Sequence, residues 1–259
     1  MNNILKIALI QYDIEWESTK NNLKKIEKIL NNEVFNSHLI VLPEMFNTGF
    51  SMNPSKIAET MHGETVTWMI ETASKYQSII AGSVAIKEDR EYFNRFLTVY
   101  PNGNIEQYDK RHLFRMSGEE NVYSAGNKQV IVNINGCRCA LFVCYDIRFP
   151  VWTRNQNNYD LALYVANWPV SRIDVWQTLL KARALENQCY VAGINRIGKS
   201  EEAEYNGHSL IFDFKGAIIG SLPENEEGII KTELSMNKLN DFKEKFPAWR
   251  DADKIIINC

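Results

Sequence analysis

The sequence predicts an α/β protein, a single domain over residues 1–259 built on a mixed sheet, or on two sheets, covered by helices. Three observations predict it. Apolar runs of strand length alternate with amphipathic stretches of helical period. Several of the strand-length runs are paired across short Asn/Gly turns, which join antiparallel neighbours. No linker, internal repeat or low-complexity stretch divides the chain, and α/β proteins of about 200 to 250 residues are commonly one domain.

The elements follow in order. Ile4 to Gln11 reads as a strand, and Ser18 to Leu30 as a helix with Leu23, Ile26 and Leu30 on one face and Ser18 as its N-cap. His38 to Leu42 is the next strand, Glu64 to Tyr76 an amphipathic helix, and Ile79 to Ile86 a strand. Tyr92 to Tyr100 pairs with Asn104 to Tyr108 across Pro101-Asn102-Gly103, and Val130 to Asn133 with Arg138 to Val143 around Asn135-Gly136. Leu161 to Val165 has the continuous apolar character of a buried strand. Asp174 to Gln188 reads as a long helix with Trp176, Leu179, Leu180 and Leu185 as its apolar positions. Cys189 to Ile194, Ser209 to Phe214 and Ala217 to Ser221 are further strands, the last two turning at Lys215-Gly216, and the acidic stretch Glu224 to Glu227 is a solvated loop.

Composition limits the function classes. Hydrophobic residues make up 45% of the chain and aromatics 11%, enough to fill a sizeable core. A net charge of -3 argues against a nucleic-acid surface, which requires a basic excess or stripe, and favours a small-molecule partner. The apolar runs fall far short of the roughly 20 residues that span a bilayer, so no membrane partner is expected. Met1 to Ile10 lacks a basic start and a cleavage site and reads as strand rather than signal peptide, which places the protein in the cytoplasm. Five scattered cysteines do not form a secreted disulfide framework. Cys137 and Cys139 would share one strand face, but no second Cys or His pair stands at zinc-site spacing, so no metal is expected. Cys189 reads as core.

Three apolar runs each end in a reactive side chain: Leu39 to Phe46 carries Glu44, Tyr108 to Phe114 carries Lys110, and Ala140 to Pro150 carries Cys144. A thiol with a pKa of about 8.5 is mostly protonated at neutral pH, so a nucleophilic cysteine needs a base or a cation nearby. Glu44 would be the base. Attack on an amide carbon creates an oxyanion that a fixed cation must meet, and Lys110 would be that cation. Taken singly, each residue also reads blandly: a loop glutamate, an exposed lysine, an inert core cysteine. Their joint occurrence at three strand tips points to a nucleophilic hydrolase. A Cys-His hydrolase using His112 or His208, and a serine hydrolase using Ser209, are the alternatives, but no Gly-x-Ser-x-Gly elbow is present. A noncatalytic interaction module with an oxidisable Cys144 is the reading from a different class.

Leu42-Pro43-Glu44-Met45-Phe46, Asp109-Lys110-Arg111-His112-Leu113-Phe114 and Cys144-Tyr145-Asp146-Ile147-Arg148-Phe149-Pro150 resemble the Glu, Lys and Cys motifs of the nitrilase superfamily of carbon-nitrogen hydrolases, in that order. Val165-Ala166-Asn167-Trp168-Pro169, Ala182 to Gln188 and Lys245-Phe246-Pro247-Ala248-Trp249 most resemble its bacterial omega-amidases. The resemblance implies a four-layer α-β-β-α sandwich of two mixed sheets, a homodimer, and no metal or organic cofactor. It implies hydrolysis of the omega-amide of short 2-oxo dicarboxylic acid monoamides such as 2-oxoglutaramate and 2-oxosuccinamate through a thioester on Cys144. N-carbamoyl and nitrile hydrolysis use the same three groups and stay open. It further implies a second carboxylate in the loop after the lysine, for which Glu119 stands at the family's distance from Gly126, with Glu120 adjacent. The backbone N–H of Tyr145 would join Lys110 on the oxyanion, and Asn167 and Trp168 would line the pocket. Trp168 also reads as a packed core aromatic. The substrate carboxylate calls for a basic or tyrosine partner, with Arg148, Arg172, Arg115 and Tyr145 as candidates.

Overall fold

The computed structural model describes residues 3–32 and 36–257; Cys259, and Met1 and Asn2 of the segment Met1 to Ile10, lie outside them. In chain order the strands are β1 (Ile4–Gln11), β2 (Leu39–Val41), β3 (Ile79–Glu88), β4 (Glu91–Val99), β5 (Ile105–Asp109), β6 (Ile131–Ile134), β7 (Cys137–Val143), β8 (Leu161–Val165), β9 (Tyr190–Ile194), β10 (Ile197–Lys199), β11 (Glu204–Asn206), β12 (Leu210–Phe212), β13 (Ile218–Ser221) and β14 (Gly228–Ser235). The helices are α1 (Thr19–Asn31), the single turn α2 (Pro54–Ile57), α3 (Glu64–Tyr76), α4 (Ile173–Asn187) and α5 (Met236–Lys245).

One six-stranded sheet runs β14-β1-β2-β3-β4-β5, and a second runs β13-β12-β9-β8-β7-β6. Each has three parallel strands at its centre, β1, β2 and β3 in one and β7, β8 and β9 in the other, flanked by antiparallel strands. The alternation of side chains along a strand builds the layers. Leu5, Ile7 and Leu9 of β1 join Leu141 and Leu163 of the second sheet in one core, whereas Ala8 and Ile10 pack under Leu23, Ile26 and Leu30 of α1 and Val66 and Met69 of α3. Burying a side chain of that size contributes about 1.5–3 kcal/mol, so α1 is held by its apolar stripe. On the far side, α4 sits so close over β9 that a Cβ at Gly193 would lie 2.5 Å from Leu180. The result is the four-layer sandwich that the resemblance implies.

Two details differ from the sequence reading. Ser18 holds the N-cap position of α1 without a side-chain bond, and the Asn22 side chain ties the helix to the preceding loop by accepting from the Glu15 N–H at 2.8 Å. Leu185, read as an apolar position of α4, is 47% exposed; the buried face runs through Trp176, Leu180 and Ala184. The sequence reading also passed over β10, β11, β14, α2 and α5.

Candidate active site

Each of the three predicted side chains sits just beyond a strand end, held by its neighbours. After β2, Leu42 donates its N–H to Ala81 O at 2.7 Å and Met45 donates to Ser83 Oγ at 2.9 Å, so the loop carrying Glu44 is fastened to β3. After β5, Lys110 donates its N–H to Asn94 O (3.0 Å), and its carbonyl accepts from Gly126 (2.9 Å). A Cβ at Gly126 would come within 2.2 Å of Asp109 O, so only glycine lets the two segments meet.

Cys144 ends β7 with φ +44, the left-handed region, and opens the turn Cys144–Arg148. Holding a non-glycine residue there costs on the order of 1–3 kcal/mol, so the surroundings must enforce it. Asp146 does so: Oδ2 accepts from Val143 N–H (3.0 Å) and Tyr108 OH (2.7 Å), and Oδ1 accepts from His112 N–H (3.0 Å) with His112 Nδ1 at 2.8 Å. From α4, the buried Arg183 guanidinium donates to Ile147 O at 2.6 and 3.1 Å. The cysteine turn is thereby tied both to the lysine segment and to the outer helix.

The three segments converge. Lys110 Nζ donates to Glu44 Oε1 at 2.9 Å and to both oxygens of Glu119 at 2.9 and 3.0 Å, and Glu44 and Lys110 both act electrostatically on the Cys144 thiol. Glu119 is fully buried and also accepts from Phe114 N–H at 2.6 Å, while Glu120 points to solvent. Asn167 N–H donates to Glu44 Oε2 at 2.8 Å, and its side chain donates to Glu44 O at 2.6 Å.

The electrostatics follow from two buried carboxylates facing one buried ammonium. Burial alone would lower the Lys110 pKa, but Glu119 and Glu44 outweigh it and hold the ammonium charged. Burial, reinforced by the charge of Glu44, raises Glu119 above the usual carboxylate range although Lys110 opposes this. Burial, then Glu44, pushes the Cys144 thiol well above its ordinary pKa despite Lys110. The resting thiol therefore keeps its proton at neutral pH, next to a carboxylate that can remove it.

A cavity of about 250 Å³ opens onto Lys110 and Cys144, with Glu44 and Glu119 behind them. Tyr145, Arg148, Asn167 and Trp168 all line it, and so does Arg172; Arg115 does not. Trp168 satisfies both of its readings, being 3% exposed against Trp176 at a ring separation of 5.4 Å while one face borders the cavity. The guanidinium groups of Arg148 and Arg172 lie over the rings of Trp168 and Phe114 and form no ion pair among the described residues. The alternative nucleophile and bases are engaged elsewhere: Ser209 is buried and donates to Gln11 Oε1, and His208 pairs with Gln177 and Glu224. His112 serves Asp146 rather than Cys144.

Sequence reasoning missed Phe50, Trp16 and Tyr205 on the walls. Tyr205 arrives on the β10–β11 hairpin, which bridges to the end of β1 at Asp13 and rests on the buried Arg196, whose guanidinium lies 4.6 Å from the Tyr205 ring. The only signal for it was an aromatic within a charged stretch.

The profile of the carbon-nitrogen hydrolase family matches residues 6–244. The chain belongs to this family. It is 47% identical over 251 residues to the omega-amidase YafV of Escherichia coli K12, covering 96% of this chain and 97% of that one. To the 2-oxoglutaramate amidase of Bacillus subtilis it is 34% identical, covering 96% and 97%. The crystal structure of XC1258 from Xanthomonas campestris, a CN-hydrolase superfamily protein with an arsenic adduct in its active site, matches with a TM-score of 0.95 at 37% identity over 98% of this chain and 99% of that one. Two mixed sheets between helices are thus the family's architecture.

Proposed function

We propose that the protein is an omega-amidase that hydrolyses short 2-oxo dicarboxylic acid monoamides, 2-oxoglutaramate foremost, to the 2-oxo acid and ammonia. The observation that carries this reading is Lys110 clamped between Glu44 and Glu119 beside Cys144 at the floor of a small cavity lined by Arg148 and Arg172, which form no ion pair among the described residues. The omega-amidase and 2-oxoglutaramate amidase names of full-length relatives support the substrate class.

Glu44 takes the thiol proton as sulfur attacks the amide carbon, and the oxyanion forms between Lys110 Nζ and the Tyr145 N–H at the start of the Cys144–Arg148 turn. Collapse expels ammonia, which receives the proton from Glu44. The same carboxylate then activates water to cleave the thioester, returning the thiol. Glu119 keeps Lys110 charged and aimed. Arg148 and Arg172, supported by Tyr145, take the distal carboxylate, and Trp168 and Asn167 shape the pocket. No step needs a metal or cofactor.

Ammonia release from 2-oxoglutaramate by wild type and Cys144→Ala tests the reading, with mass spectrometry after brief mixing for the acyl adduct. Turnover retained by the variant would overturn it. A panel of nitriles and N-carbamoyl compounds run alongside should be turned over poorly. A homodimer and a cytoplasmic setting belong to the same reading; the first rests on the family resemblance, the second on the odd cysteine count and the free thiol the chemistry requires. Sedimentation and cell fractionation check them.

A further inference from the structure

We propose that Asn94 is the positioning residue that assembles the catalytic groups and aims their carboxylates. The inference rests on the hydrolase reading of the site, but not on which amide is the substrate. Asn94 is fully buried in the middle of β4, opposite Ala85 of β3. One side-chain nitrogen serves both acids: Nδ2 donates to Glu44 Oε1 at 2.8 Å and, at a longer 3.4 Å, to Glu119 Oε1. The main chain of the same residue accepts the Lys110 N–H at 3.0 Å. A single residue therefore holds three groups from two segments, Glu44 after β2 and Lys110 and Glu119 after β5.

Its orientation is fixed by charge. Oδ1 is buried and has no hydrogen-bond partner among the described residues. Rotating the amide would bring that oxygen against two carboxylates. What the amide supplies is a neutral donor where Glu44 and Glu119 share one ammonium. A donor to the charged form of a carboxylate favours that form. Glu44 must face the Cys144 thiol to accept its proton, so loss of Asn94 Nδ2 should leave the base poorly aimed and slow every step that uses it.

The test uses Asn94→Leu, which keeps the volume without a donor, and Asn94→Asp, which keeps the shape and adds a negative charge. The first readout is the rate of Cys144 alkylation by iodoacetamide at neutral pH per folded molecule, followed by mass spectrometry, which requires no substrate. It should fall on the order of tenfold in both variants. The second is steady-state turnover of 2-oxoglutaramate, where kcat should fall on the order of tenfold to a hundredfold with KM changed by less than about threefold. A residue that merely packs would lower the fraction of folded enzyme without changing the rate per folded molecule. An alkylation rate per folded molecule equal to wild type in whichever variant folds overturns the proposal. If wild type fails to turn over 2-oxoglutaramate while the alkylation rate still falls, the substrate assignment fails and the role of Asn94 stands.

Discussion

At the scale of single residues, the site turns on proton ownership. The thiol of Cys144 is held protonated by burial and by Glu44, so the attacking sulfur is made during the reaction and not stored as a thiolate. Glu119 matters because Lys110 faces it with two contacts against one to Glu44. Glu119→Gln should slow formation of the acyl adduct by on the order of 10- to 100-fold, with Glu120→Gln near wild type; quench-flow mass spectrometry measures both, and equal rates for Glu119→Gln and wild type would remove Glu119 from the mechanism. Arg148 and Arg172 act on the other end of the substrate. Replacing either with Met should raise KM about 10- to 100-fold and leave kcat far less affected, since a charge-assisted bond to a carboxylate is lost before chemistry begins. The three motif residues, bland when taken singly, were legible because they occur together in the extended motifs Leu42 to Phe46, Asp109 to Phe114 and Cys144 to Pro150. Asn94 was harder to read: an asparagine within Tyr92-Phe93-Asn94-Arg95-Phe96 is out of place in a strand by propensity, but nothing local names its partners, which lie 50 and 25 positions away.

At the scale of elements, the nucleophile turn is stabilised by what it borrows from others. Tyr108 and His112 belong to the lysine segment and Arg183 to α4, yet all three bond within Val143–Arg148 or its carboxylate. Asp146→Asn places an amide where donors converge, and urea titration should find it destabilised by about 2–4 kcal/mol, with kcat reduced as Cys144 leaves its left-handed conformation. An unchanged midpoint and rate would show that the turn holds itself. Long apolar strands and helices such as β8 and α3 were readable because period and burial agree. The β10–β11 hairpin was not, because only Ile197, Tyr205 and Asn206 of its six strand residues are buried, and the rest present the charge pattern of a loop. β14 and α5 escaped for the same reason: Ile230 and Leu234 in the one, Met236 and Leu239 in the other, are too sparse to set a period. Leu185 was misread in the opposite sense, since apolar character alone does not say which side of α4 faces the sheet.

At the scale of the whole molecule, stability should depend on acid in a way one ion pair makes visible. Burial alone would raise the carboxyl pKa of Asp160, but hydrogen bonds and charge from Arg138, with Lys243 beyond, bring it below the usual value. A carboxyl depressed in the folded state contributes stability above its unfolded pKa of about 3.9, and that contribution is lost as pH falls below it. Urea midpoints for wild type and Asp160→Asn should differ at pH 6 and draw together as pH falls from the unfolded value through the lower folded one; a gap that stays constant would assign the effect to packing.

The two sheets have a further consequence. Glu44, Lys110 and Glu119 come from loops of the first, whereas Cys144 and Asn167 follow strands of the second, so neither half carries a working set. Turnover is therefore a gauge of closure: in a refolding sample it counts only molecules whose halves have clasped, while circular dichroism counts every strand already formed.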